Sequence, residues 1–143
     1  MIRAYDGQTV HEVWPTVQKW LTDNGAKLMR GNDSVEDVKQ AIDTNNAQLW
    51  IWKTETALGI VVTQIVQYPR RKVCFIKFGT GYNAKEWAVP IITAIERFAE
   101  FSGCGAVEIC ARPGWIKLLE SAGYGSRHIL LTKELKEQEN QNV

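Results

Sequence analysis

The chain has 143 residues, 45% hydrophobic and 23% charged, with a net charge of +1 at neutral pH. That length suits one domain with one core, and a charge so near zero gives no global field to draw it to nucleic acid or to an anionic membrane. No apolar run approaches the roughly 20 residues of a membrane span. The opening Met-Ile-Arg-Ala-Tyr-Asp lacks the apolar core of a signal peptide, so a cytoplasmic location is expected. Cys74, Cys104 and Cys110 show no metal-ligand spacing and their odd number gives no disulfide framework, so free thiols and no metal are expected.

Residues 2–5 read as a first strand. Thr9 and Glu12 have capping-box spacing, and Val10, Val13, Trp14, Val17 and Leu21 follow on one helical face. Pro15 is awkward inside such a helix, so the helix is expected to start later than the box implies. Asn24-Gly25 ends it. Ser34 and Asp37 mark a second N-cap, with Val35, Val38 and Ile42 as its apolar stripe. Three β-rich runs follow at 49–53, 57–68 and 73–78. Their connections are too short for crossovers, so an antiparallel meander is expected.

Gly79-Thr80-Gly81-Tyr82 reads as a break in the chain. A helix over 84–102 then buries Trp87, Ile91, Ile95, Phe98 and Phe101. The strand at 106–111 should run parallel to 73–78, because a helix of that length makes a crossover. A short helix over 114–122 should bury Trp115 and Leu118, and a last strand is expected at 126–134. One domain spans 1–135, with a polar tail over 136–143. The class is α/β (α+β) with a mixed central sheet, in the order β-α-α-β-β-β-α-β-α-β.

Residues 103–124 read Gly-Cys-Gly-Ala-Val-Glu-Ile-Cys-Ala-Arg-Pro-Gly-Trp-Ile-Lys-Leu-Leu-Glu-Ser-Ala-Gly-Tyr. This strand, bend, short helix and Gly-Tyr stop resemble the C-terminal half of the GNAT acetyltransferase fold. There Leu-Tyr-Glu-Lys-x-Gly-Phe closes the last helix; here the run is Leu118 to Tyr124. The element order matches that family, with its final strand missing or supplied otherwise. Arg112-Pro113-Gly114-Trp115 is also loosely similar to an Arg-x-Gly-Trp carried by small phage-encoded proteins of this fold, which implies a phage origin and a virion-associated location as an alternative.

The resemblance implies acetyl-CoA as donor, a small-molecule or protein amine as acceptor, and no metal. In the family the CoA pyrophosphate rests on a helix N-terminus, where Gln/Arg-x-x-Gly-x-Gly/Ala lets backbone N–H groups approach it. The matching residues are Asn83 to Ala88, and only Ala88 fits; Glu86 puts a carboxylate beside the phosphate position. Gly79-Thr80-Gly81 either wraps the anion earlier, with Lys85 supplying charge, or is a flexible exit from the strand. The implied cofactor contacts are Phe78, Gly79, Thr80, Gly81, Lys85, Ala88 and Arg112.

Leu119 stands where the family often has its tyrosine acid. Tyr82 is the substitute donor or a lid residue, and Tyr124 is for packing. Glu108 is the general base, or the partner of Lys77 on the neighbouring strand. Arg70, Arg71 and Lys72 form a solvated hairpin tip, and nucleic acid is not expected as a partner. Two functions follow: a CoA-dependent N-acetyltransferase, or a non-catalytic protein of the same fold that uses its cleft or its tryptophan-rich face for a protein partner.

Overall fold

The computed structural model describes residues 2–125 and 128–136. It forms two compact units, Met1–Ala111 and Arg112–Val143. The first unit holds a five-stranded mixed sheet in the order β1-β2-β3-β4-β5. Its strands are β1 (Ile2–Tyr5), β2 (Gln48–Lys53), β3 (Leu58–Gln67), β4 (Lys72–Tyr82) and β5 (Ala106–Ile109). The first four pair antiparallel in sequence order. β5 joins β4 in parallel, Val73 opposite Ala106 and Ile76 opposite Ile109, as the helical crossover requires.

Three helices lie between β1 and β2: α1 (Trp14–Asn24), α2 (Ala26–Met29) and α3 (Val35–Asp43). Thr9 caps no helix: its hydroxyl accepts from the Asp6 amide at 3.0 Å and closes the turn after β1. α1 begins only at Trp14, which places Pro15 in the first turn, where its missing N–H costs nothing. The one-turn α2 has no counterpart in the sequence pattern. Ser34 and Asp37 form a complete capping box on α3, with bonds of 3.1 and 2.9 Å. α1 and α3 bury Trp14, Val17, Leu21, Val38 and Ile42 with Leu49, Ile51, Ile60, Val62 and Phe78 of the sheet.

α4 (Ala84–Phe101) links β4 to β5 and buries Trp87, Ala88, Ile91, Ile92, Ile95 and Ala99. It packs on the opposite face of the sheet, because its contacts are with the alternate residues of the strands. The Trp87 ring lies on Gly59, and Phe98 meets Trp50 edge to face at 5.5 Å. Phe101 is 93% exposed, because the apolar stripe ends at Ala99. At its carboxyl end the Lys72 ammonium donates to the Ser102 carbonyl at 2.6 Å, a favourable place for a cation.

Two expectations about the strands need correction. Gly79-Thr80-Gly81-Tyr82 does not break the chain; β4 runs through it to Tyr82, paired residue by residue with Leu58 to Val61. Glycine is needed there because the other chain segments come so close: a Cβ at Gly81, whose φ is +138°, would run into the Leu58 carbonyl. Of the last strand expected at 126–134, Ser126 and Arg127 lie outside the described residues, and 128–134 form no strand. In the second unit a 3₁₀ turn (Pro113–Trp115) leads into α5 (Ile116–Ser121). Leu119 is buried there, while Trp115 and Leu118 are only half-buried. Most of the polar tail, 137–143, lies outside the described residues.

Candidate active site

The sheet opens beside β4. Val62 lies opposite Phe78 and Thr63 opposite Ile76, so Lys77 is an extra residue with no counterpart on β3. A bulge of this kind bends the strand and sharpens its twist. β5 pairs with β4 only from Val73 to Ile76, and the pairing stops where the bulge begins. Among the described residues, 77–82 of β4 have no strand partner on that side. Lys77 is held by Asp33 at 3.0 Å, each about a quarter exposed, and not by Glu108.

Beyond the bulge, alternate residues of β4 face the α1 side. Phe78 is in the core. The Thr80 hydroxyl accepts from the Trp20 indole at 3.0 Å, and the Tyr82 ring lies against the Trp20 ring at 5.9 Å, tilted by 49°. Tyr82 is 49% exposed, so its hydroxyl is reachable at the rim of the free edge. Gly79 faces Trp87 of α4 on the other side, a Cβ on Gly81 would meet the Leu58 backbone of β3, and the Tyr82 carbonyl accepts from the Trp87 indole at 3.1 Å.

The first turn of α4 is tied to the β2–β3 turn. Asn83 takes the left-handed conformation and donates its side-chain amide to the Thr56 carbonyl at 3.1 Å. The Glu86 carboxylate accepts three bonds: from the Trp52 indole at 2.8 Å, the Thr54 hydroxyl at 2.7 Å and the Thr56 hydroxyl at 2.6 Å. Those bonds, with Thr56 contributing most, hold its pKa below the ordinary carboxylate range. Lys85 is exposed, whereas Ala88 is buried.

Glu108 lies opposite Phe75, on the paired part of the sheet, and is exposed. Its carboxylate accepts from the Tyr68 hydroxyl of the β3–β4 hairpin at 3.4 Å. Tyr82 is seven residues further along β4, roughly 20 Å at about 3.3 Å per residue. The two expected catalytic side chains therefore do not meet at one reacting atom. Phe78, Gly79, Thr80 and Gly81 are brought together with Tyr82; Lys85 and Ala88 follow on α4. Arg112 is exposed and opens the second unit.

Sequence reasoning missed Trp20, Trp52, Thr54 and Thr56. Thr54 and Thr56 lie in the turn after β2, where the period-two rule of a strand does not apply, so no spacing signal marks them. Nothing in the sequence said which acid they serve. Among the described residues, no three His, Cys, Asp or Glu side chains form a metal-binding group, and no helix is long and apolar enough to cross a membrane.

A mixed sheet with a bulged fourth strand, splayed from a parallel fifth across a helical crossover, is the fold of the GNAT acetyltransferases. Neither a protein-family profile nor a curated protein sequence matches the chain. Solved structures do. An aminoglycoside acetyltransferase from an uncultured soil metagenomic sample, in complex with sisomicin, is 15% identical, with 95% of this chain and 96% of that one covered and a TM-score of 0.67. A ribosomal-protein-alanine N-acetyltransferase from Brucella melitensis biovar Abortus is 14% identical over 94% and 99% of the two chains, with a TM-score of 0.66. An aminoglycoside N-acetyltransferase in complex with CoA is 18% identical over 95% and 99%, with a TM-score of 0.64. Likeness at these identities establishes the fold.

Proposed function

We propose that this chain is an N-acyltransferase that takes an acyl group from a CoA-type thioester and delivers it to an amine. The observation that carries the reading is the free edge of β4 from Lys77 to Tyr82, opened by the bulge. Backbone groups on an unpaired edge need partners, and the amide-bearing arm of CoA supplies both donors and acceptors. A structural neighbour of nearly the same length binds CoA.

The thioester, when bound, supplies an activated acyl carbon. The chain's part is to align it with the amine, which alone is worth several kcal/mol of the barrier, up to about 11 in the best cases. As the amine nitrogen bonds to the acyl carbon, the carbon–sulfur bond breaks. The thiolate takes one proton, and the amine nitrogen gives one up to solvent. Tyr82 is the proton donor to the sulfur in this reading, which its exposure at the rim of the free edge and its ring contact with Trp20 support. Glu108 is too far along the sheet to serve the same atom.

One observation favours the non-catalytic reading. The residue at the usual acid position, Leu119, is buried and has no proton to give. Calorimetry with acetyl-CoA, paired with a thiol-release assay on small primary amines, separates the two. Saturable binding with thiol release supports the acyltransferase. Absence of binding at millimolar acetyl-CoA overturns it and leaves the assembly or partner-binding role, for which a phage origin is the corresponding proposal.

A further inference from the structure

The amino end of a helix is the ordinary seat for a phosphate, because its first N–H groups lack intrahelical partners and its dipole favours an anion. In this chain that end already has an anion of its own. Glu86 lies in the first turn of α4, and three side-chain donors hold its carboxylate at 2.6–2.8 Å. The neighbouring Lys85 offsets one charge and leaves the turn neutral, where a pyrophosphate site needs excess positive charge.

Position adds to charge. Trp52 belongs to β2, and Thr54 and Thr56 to the turn that follows it. In the sheet order, β3 and β4 separate β2 from the opening beside β5. The Trp87 ring, seated on Gly59 of β3, fixes the same turn of the helix over β3. The first turn of α4 is thus drawn toward β2 and β3, while the free edge of β4 faces the other way.

We propose, resting on the acyltransferase reading above, that the first turn of α4, with Glu86 held in it, does not seat the CoA pyrophosphate, so that the pyrophosphate contributes little to donor binding. The substrate class is then an acyl-pantetheine thioester, whatever phosphate-bearing group follows the arm.

The test compares acetyl-CoA with acetyl-pantetheine by calorimetry on the full chain, at one low ionic strength. Dissociation constants within about tenfold of each other are expected. Acetyl-CoA more than about tenfold tighter overturns the inference and leaves the acyltransferase reading standing. Binding of neither ligand overturns both. Glu86→Gln adds a second measurement: it should tighten acetyl-CoA several-fold, by roughly the removal of one nearby like charge, and leave acetyl-pantetheine unchanged. Equal effects on the two ligands would place the pyrophosphate away from α4 and overturn the closure argued for Glu86. If that variant fails to fold, the wild-type comparison decides.

Discussion

The Trp52 indole, on β2, donates to the Glu86 carboxylate, in the first turn of α4, at 2.8 Å. With Thr54 and Thr56 it turns a glutamate that looks misplaced in a phosphate turn into the latch between a hairpin and a helix. The bonds stabilise the charged form, so its folded-state pKa lies below that of an unfolded glutamate, about 4.3. This contribution to stability is present above about pH 4.3 and is lost as pH falls through the lowered folded value. Acid unfolding of Glu86→Gln should therefore show a shallower pH dependence below about pH 4.3 than the wild type. Asp37 and Asp6 titrate low for the same kind of reason and keep the remaining slope. Identical acid profiles for both proteins would remove the latch from the energetics.

Gly59 and Trp87 form a second contact of this kind. A Cβ on Gly59 would fall within the Trp87 ring, and Trp87 is 2% exposed. Trp87→Ala should cost about 3–5 kcal/mol. Gly59→Ala should cost about 1–3 kcal/mol by overpacking. In a Trp87→Leu background the Gly59→Ala cost should shrink by more than about 0.5 kcal/mol, read from a double-mutant cycle in urea. Additive costs would mean that the two residues do not touch.

How far the sequence reveals this arrangement depends on the range of the interaction. The meander, the crossover helix and the parallel β4–β5 pair follow from periodicity and connection length, which are local quantities. The Ser34–Asp37 box is local too, and is formed as expected. Gly81 misleads because glycine marks both a break and a close approach, and only the Leu58 carbonyl, far off in sequence, decides which. The Thr9–Glu12 spacing misleads because Asp6 competes for Thr9. The Glu86 latch joins residues more than thirty positions apart, so no spacing rule reaches it.

The three thiols should separate by rate. Cys74 is buried, and that burial pushes its pKa up to about 11. Thiolate is the reactive form, so Cys74 should resist labelling until the chain unfolds. Exposed Cys110 should react first, and Cys104 more slowly. Labelling under native conditions, followed by peptide mapping, checks the order. Early modification of Cys74 would contradict the packing of β4.

Leu119 is the buried residue of α5, at 4% exposed. Leu119→Ala should cost about 2–5 kcal/mol. Leu119→Tyr, which restores the side chain usual in the family, should cost about 1–3 kcal/mol by overpacking rather than add activity. Denaturation midpoints for both variants test this. A stable and faster Leu119→Tyr enzyme would show that the position belongs to the reaction after all.

The roles of Tyr82 and Glu108 separate cleanly. Tyr82 stands at the free end of β4 against Trp20, with half its surface in solvent. If it protonates the departing sulfur, Tyr82→Phe should lower kcat by about 10²-fold or more and leave KM for the thioester nearly unchanged. The substitution removes one hydroxyl and keeps the ring, so the Trp20 contact and the fold should persist. A donor with a good thiol leaving group should recover much of the loss, because that thiolate needs less help from an acid. Glu108 bonds to Tyr68, roughly 20 Å along the strand from Tyr82. Glu108→Gln should therefore leave kcat within about twofold of the wild type. The reverse pattern, with Glu108→Gln inactive and Tyr82→Phe normal, would move the reaction to the hairpin end of the sheet and discard the free edge of β4 as its site.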